Sequence, residues 1–328
     1  MPLAEIVHHF DPFVFRFSET VGLRWYGLAY LGGFLLGFAI LKRLCERGFC
    51  QLQPKKVADF ITYAAIFGVL LGGRLGYMLF YNLDGLRADP LSFIKVWDGG
   101  MASHGGILGL VFFTLYYSRK HGLSWRNLGD NLVCVAPLGI LFGRLANFIN
   151  GELYGRIAQG VPWAMKFPMA LERRPPASGV EPVLVEVAEF NDEPLRAYVE
   201  SGSQIHSGIH ALVAAGQKDP RVLDRLGDYL APRHPSQLYE GLLEGALLFG
   251  VLMLVRFRFP RLRYGILTGL FFVLYALFRI VVENYREPDL GIALWWGLSR
   301  GQFLSLFLLL IGVVFLVTAS PAEKKRPA

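Results

Sequence analysis

The stretch LGDNLVCVAPLGILFGRLANFI, Leu128 to Ile149, decides what kind of protein this is. It has the length and apolar character of a helix that crosses the hydrocarbon core of a bilayer, which takes about 20 residues. Near its far end sit Arg144 and Asn147. An arginine within lipid costs several kcal/mol, roughly 2.5 to 3.5 on insertion scales, so its presence calls for an explanation.

Six further stretches share this character: Gly22 to Leu44, Val57 to Tyr81, Ala102 to Ser118, Pro235 to Val255, Tyr264 to Tyr285 and Gln302 to Ala319. The first is not a cleaved signal peptide, because Lys42 and Arg43 follow its apolar run instead of preceding it. Composition agrees with a multi-spanning membrane protein: 53% of residues are hydrophobic, 18% are charged and the mean hydropathy is +0.40. These values exclude a disordered chain, a coiled coil and a disulfide scaffold. Cys45, Cys50 and Cys134 have neither CxxC nor metal-ligand spacing and read as reduced structural thiols.

The net charge of +7 acquires a meaning once the basic residues are sorted by side. The connections after the first, third and fifth stretches, together with the tail at 324–326, hold fifteen of the thirty-three. The opposite side holds six: Arg16, Arg24, Arg87, Lys95, Arg286 and Arg300. The positive-inside rule then places the N-terminus outside and the C-terminus in the cytoplasm, and the excess charge is an orientation signal instead of a nucleic-acid footprint. Residues 1–150 hold four spans and residues 235–328 hold three spans and a cytoplasmic tail. The polar, Pro-rich segment 151–234 reads as a small external head domain. Within it, helix-like spacing from Ala211 to Leu230 is interrupted at Gly216 and Pro220, and the run from Met169 to Tyr229 reads as a solvated spacer. The expected fold class is therefore an all-α membrane protein of seven spans with an external domain between spans four and five.

Glycines four apart (Gly33/Gly37, Gly68/Gly72/Gly76, Gly105/Gly109, Gly139/Gly143, Gly241/Gly245, Gly265/Gly269) put small residues on one face of six spans. Such faces let helix backbones approach closely. The seventh span lacks a pair and is expected at the edge.

Three basic residues lie inside spans: Arg74, Arg144 and Arg279. At 1.5 Å per helical residue they sit roughly 10, 8 and 9 Å below the external ends of their spans, all at outer-leaflet depth. Tyr26, His104, Asn147, Asn150, Glu152, Tyr239, Glu240, Glu244 and Glu283 gather at the same depth. Arg279 and Glu283 are four apart and share a helix face, as do Arg144 and Asn147, three apart. Packing alone does not require three arginines with carboxylates, amides and a histidine. The arrangement fits a cavity that opens to the outer leaflet and receives an anionic group, most simply a phospholipid head. A lipid transporter or flippase is the competing class, and it would bring inverted repeats that the sequence lacks.

Five segments carry a more specific signal: Arg24-Trp25-Tyr26-Gly27, Ser103-His104-Gly105-Gly106-Ile107-Leu108-Gly109, the run from Gly143 to Arg156, His234-Pro235-Ser236-Gln237-Leu238-Tyr239-Glu240, and the run from Phe278 to Asp289. In series they resemble the phosphatidylglycerol:prolipoprotein diacylglyceryl transferases of the bacterial inner membrane, over nearly the whole chain. The resemblance implies transfer of the diacylglyceryl group of phosphatidylglycerol to the lipobox cysteine thiol of a preprolipoprotein, with release of glycerol phosphate. It implies functional roles for Tyr26, His104, Arg144, Asn147, Glu152, Gly155, Arg279 and Glu283. No cofactor or metal is expected, because the carboxylates are interspersed with arginines and no HExxH motif or Asp cluster is present. The chain departs from the family pattern in Ile107-Leu108, where the reverse order is common, and in a longer Met169 to Tyr229 portion.

Elementary chemistry is compatible with this. A thiol with a reference pKa near 8.5 is mostly protonated at neutral pH, so attack on a glycerol carbon needs a base. His104 is the best-matched side chain at the right depth, or else an imidazole that fixes the Gly105-Gly106 backbone. Arginines hold phosphate oxygens bidentately, which makes Arg144 and Arg279 natural stabilisers of the leaving group. Glu152 and Glu283 would orient them, while Asn147, Gly155, Gly105, Gly106 and Glu240 would line the site. Tyr26 could orient a substrate oxygen or serve as an interfacial aromatic. Arg74 could bind a second lipid oxygen or help the bundle pack.

Overall fold

The computed structural model describes residues 6–17, 21–95, 99–173, 205–288 and 297–322. Asp289, the basic tail at 324–326 and residues 174–204 of the long polar segment lie outside the described residues. Among the described residues, nine helices of nine or more residues carry the architecture: α1 (Trp25–Glu46), α2 (Pro54–Tyr81), α3 (Ser103–Lys120), α4 (Trp125–Ile149), α5 (Ile205–Gly216), α6 (Pro220–Asp228), α7 (Ser236–Arg258), α8 (Ile266–Glu283) and α9 (Arg300–Val317). Two small antiparallel pairs accompany them, β1 (Phe13–Arg16) with β2 (Gly22–Arg24) and β3 (Met165–Lys166) with β4 (Pro232–Arg233).

Among the described residues six helices, α1, α2, α4, α7, α8 and α9, are long and apolar enough to cross a membrane. α3 forms where the third span was expected, but its 18 residues include Ser103, His104, Arg119 and Lys120, whose polarity keeps it out of that group. The expected start of the first span also moves. Gly22 to Arg24 pair with β1 as a strand, so the helix begins at Trp25. α9, the span without a glycine pair, is the least buried: 11% of its apolar window, against 22–33% for the other five.

The chain divides into two compact units, one made of Met1–Gly33, Pro137–Leu248 and Val273–Leu310, the other of Phe34–Ala136, Phe249–Phe272 and Ile311–Ala328. In the second unit an apolar core forms around Leu41, Cys45, Val57, Phe60, Tyr117 and Leu128. There α2 and α3 touch backbone to backbone. A Cβ on Gly72 would lie 2.6 Å from the Gly105 carbonyl oxygen and 2.8 Å from the Gly109 Cα, and one on Gly76 would lie 2.6 Å from the Gly105 Cα. The glycine spacing thus marks this contact because no side chain fits in it. The face of Gly139 and Gly143 behaves differently, since added Cβ atoms there would meet nothing within 4 Å. At the start of α8, buried Asp130 accepts hydrogen bonds from the backbone N–H groups of Gly265 and Thr268, both at 2.8 Å, and from the Thr268 hydroxyl at 2.7 Å. These satisfy donors that a helix start leaves unpaired.

In the first unit, the described part of the segment expected to be a solvated spacer has an apolar core of its own. Leu171, Ile209, Leu212, Val222, Leu226 and Leu230 pack together with Val7. The break between α5 and α6 falls at Gly216 and Pro220, as the spacing predicts, and Asp219 caps α6 by accepting from the Arg221 backbone N–H. Proline in the first turn costs α6 nothing, since that N–H has no helical partner. Residues 6–8 run beside β3: the His8 N–H donates to the Lys166 carbonyl at 2.7 Å and the Lys166 N–H to the Ile6 carbonyl at 3.0 Å. The His8 ring is buried, stacks on Phe167 and places Nε2 2.6 Å from the Phe148 carbonyl oxygen.

Candidate functional site

The first unit gathers its intramembrane charges around one carboxylate. Glu240, on the first turn of α7, has no exposed surface, and its Oε2 lies 2.6 Å from Arg144 of α4 and 2.8 Å from Arg279 of α8. Arg286 approaches the same oxygen at 3.7 Å. Arg279 also meets Glu283 of its own helix at 2.9 Å and Glu244 of α7 at 3.5 Å. α7 widens into a π-helical segment over Gly241–Leu247, a distortion found often at functional sites, and the fully buried Glu240 and Glu244 flank and enter it. What surface remains is mainly cationic: the Arg144 side chain keeps 19% of its exposure and Arg279 and Arg286 keep 12% each, while Glu283 keeps 9% and Glu240 and Glu244 keep none.

A second set of contacts extends from Arg144. Its Nη1 donates to the Asn147 side-chain oxygen at 3.4 Å, and the Asn147 amide donates to Glu152 at 2.8 Å and to the Tyr26 hydroxyl at 3.4 Å. Asn150 donates to the same Glu152 oxygen at 3.4 Å. Tyr26, Arg144, Asn147 and Glu152 therefore form one connected group, in which Glu152 meets amides and not the arginines it was expected to orient.

The loop after α4 is held in a constrained shape. Leu153 adopts φ 55°, a left-handed conformation that costs a residue other than glycine about 1 to 3 kcal/mol and persists only where neighbours impose it. Those neighbours are identifiable. The Gln237 amide donates to the Glu152 carbonyl at 2.6 Å and the Ser236 hydroxyl to the Leu153 carbonyl at 3.1 Å. Two residues on, a Cβ at Gly155 would lie 2.5 Å from the Tyr285 carbonyl oxygen and 2.6 Å from that of His234. Only glycine fits there. His234, just ahead of α7, faces the Tyr239 hydroxyl through Nδ1 at 3.1 Å, and burial lowers its pKa below the ordinary imidazole value.

Arg74, His104, Gly105 and Gly106 belong to the second unit. Arg74 is buried, and its guanidinium donates to the carbonyls of Ser92 (2.6 Å), Phe93 (3.3 Å), Gly99 and Gly100 (3.2 Å). It fastens the loop that leads into α3. His104 stands exposed on the first turn of α3 and makes no hydrogen bond or ion pair with a described residue. Gly105 is occupied by the contact with α2.

Two members of the cluster received no role from the sequence. Arg286 was sorted as an external charge within the Phe278 to Asp289 run, although it follows Arg279 by seven residues and Glu283 by three and so returns to the same side of the chain. Glu244 was visible at the right depth, and its place one turn beyond Glu240 was the available signal.

Buried pairs of this kind also hold together proteins with no activity, so the likeness to known proteins adds independent weight. Residues 12–318 match the family model described as prolipoprotein diacylglyceryl transferase. A phosphatidylglycerol–prolipoprotein diacylglyceryl transferase of Bdellovibrio bacteriovorus is 38% identical over 340 aligned positions, covering 98% of this chain and 96% of the relative. Those of Azospirillum brasilense and Rhodospirillum centenum are 38% and 39% identical, each over 97% of this chain and 96% and 95% of their own. With nearly full-length coverage on both sides, the clustered residues, from Tyr26 to Arg286, all fall inside the matched region, and the chain belongs to the prolipoprotein diacylglyceryl transferase family.

Proposed function

We propose that this protein transfers the diacylglyceryl group of phosphatidylglycerol to the lipobox cysteine thiol of a preprolipoprotein, the first step of lipoprotein maturation. The cysteine sulfur attacks the glycerol carbon that bears the phosphate. The C–O bond breaks as the C–S thioether bond forms, and glycerol phosphate leaves with the electron pair. The observation that carries this reading is the cluster in which the fully buried carboxylates of Glu240 and Glu244 back guanidiniums that supply most of its accessible surface. Such a surface stabilises a phosphate whose charge grows as it departs, and it does so without reorganising.

In this reading Arg144 and Arg279 hold the phosphate, and Glu240 and Glu283 hold the arginines. Tyr26, Asn147, Glu152 and Gly155 shape the head-group region. His104 takes the thiol proton, a role supported by its exposed imidazole. Gly105 and Gly106 admit the substrate beside it, and Arg74 acts by fastening the loop before α3. The protein spans the bacterial inner membrane seven times, α3 included, with its N-terminus outside, residues 151–234 as a periplasmic head and the site in the outer leaflet. The excess of basic residues on the opposite connections supports that orientation.

The test is reconstitution of the full chain in phosphatidylglycerol vesicles with a lipobox peptide, following the mass of the thioether product and released glycerol phosphate. Arg144→Ala and Arg279→Ala are expected to abolish both. Normal turnover in the two variants overturns the assignment.

A further inference from the structure

A second buried ion pair lies outside the arginine cluster. Arg233 is 3% exposed, and its Nη1 is shared between Glu287 at 3.1 Å and the carbonyl oxygen of Gly155 at 3.1 Å. Its guanidinium also covers the ring of Tyr154, 5.0 Å from the centroid. Neither charge takes part in the contacts of Glu240.

The pair sits where three segments are woven together. The Gly155 N–H donates to the His234 carbonyl at 2.8 Å, the His234 N–H to Arg156 at 3.0 Å, and the Arg156 N–H to Tyr285 at 2.9 Å. Gly155 bridges Arg286, and Ile157 bridges Arg233. Each segment leads directly into the site: 153–157 follows Glu152, 232–234 precedes the turn bearing Glu240, and 285–287 contains Arg286. The backbone bonds tie neighbouring segments in twos. Through Arg233, one guanidinium reaches all three at once, by its own backbone, by the Gly155 carbonyl and by the Glu287 carboxylate.

We propose that Arg233 and Glu287 are positioning residues for the transfer: they hold the Gly155 carbonyl, and with it the loop bearing Glu152, in register with Arg144, Glu240 and Arg279. This inference rests on the function proposed above. It assigns the pair a role in rate, because a loop displaced by about 1 Å costs on the order of a hundredfold in turnover while substrate still binds.

The test uses the full chain in phosphatidylglycerol vesicles, with kcat and KM measured separately and thermal unfolding followed in parallel. Glu287→Gln and Arg233→Lys keep the shape of the pair. The first removes the charge, and the second replaces the flat guanidinium, whose Nη1 serves both acceptors while its plane covers Tyr154, with a compact ammonium. Both are expected to lower kcat by roughly tenfold or more, with KM for phosphatidylglycerol within about threefold of the unsubstituted protein. Arg233→Lys, which keeps the charge, should change the thermal midpoint little, whereas Glu287→Gln should lower it, because it leaves a buried charge unpaired. The reversed pair, Arg233→Glu with Glu287→Arg, restores the attraction, but a glutamate cannot donate to the Gly155 carbonyl, so turnover is expected to stay low. Unchanged kcat in both conservative variants overturns the proposal. So does recovery of turnover by the reversed pair, or a loss that appears only in KM or, for Arg233→Lys, only in step with a fallen thermal midpoint. If the reversed pair does not accumulate, the two conservative variants decide. Absence of transfer by the unsubstituted protein defeats the proposed function itself, whereas active protein with indifferent variants defeats only the role of this pair.

Discussion

The Arg144 guanidinium lies 2.6 Å from Glu240, a carboxylate on another span with no exposed surface. Glu240 is also bonded to Arg279, so removing it takes the ion-pair partner from Arg144 and one of three carboxylates from Arg279. Breaking a buried pair from one side costs about 3 to 5 kcal/mol. Glu240→Ala is therefore expected to lower the thermal midpoint of the purified protein sharply. Arg144→Lys, which keeps the charge but loses the fork, is expected to fold while turnover falls on the order of a hundredfold or more. Parallel unfolding and transfer assays separate the two effects.

Acid should loosen the N-terminal arm. Burial holds the His8 imidazole down to about 4, against 6.5 when free. Between those values the unfolded chain takes up a proton that the folded one does not, so stability declines as pH drops through that window, by up to about 1.4 kcal/mol per pH unit. His8→Gln removes this contribution. Thermal midpoints compared near neutrality and near pH 4.5 should converge for the variant and separate for the unsubstituted protein.

The contact between α2 and α3 predicts a contrast among glycines. A methyl at Gly72 would overlap the backbone of Gly105 and Gly109, whereas one at Gly139 meets open space. Gly72→Ala is expected to destabilise by about 1 to 3 kcal/mol, as overpacking does. Gly139→Ala is expected to be neutral or slightly stabilising, since alanine favours the helix by up to about 1 kcal/mol. Unfolding of the two variants in one detergent gives the comparison.

Asp130 should matter as a cap. It accepts three hydrogen bonds at the head of α8, and Asp130→Ala leaves two backbone N–H groups and a hydroxyl without it. The loss is expected to be about 2 kcal/mol, the upper end for a cap because the site is buried. Thr268→Val, which removes only the hydroxyl donor, should cost less. Amide exchange at Gly265 and Thr268 would report the same order.

What the sequence disclosed and what it withheld follow from the range of the forces involved. An apolar run is a local property, so the helices were legible to within a few residues. A charge inside such a run is conspicuous, which brought Arg144, Arg279 and Glu283 forward. The partner of each charge depends on which helix faces which, and this is why Glu240 emerged as the centre only from the structure. Arg74 gave the same signal as Arg144, yet its donors end on backbone carbonyls, which no side-chain pattern reveals. Gly22–Arg24 looked like the start of a span because they adjoin its apolar run, and their pairing with Phe13–Arg16 leaves no mark in that run.

The charges on α7 and α8 bear on how the protein enters its membrane. α7 carries Glu240 and Glu244, α8 carries Arg279, and a short connection, residues 259–265, joins them. Each helix alone would present ionised groups to lipid at a cost of several kcal/mol. Inserted together as a hairpin, they neutralise one another on arrival. The ion pairs would thus be needed at biogenesis, before any substrate is met, and Arg279→Ala should lower the fraction of α7 that becomes membrane-inserted in a glycosylation-mapping assay.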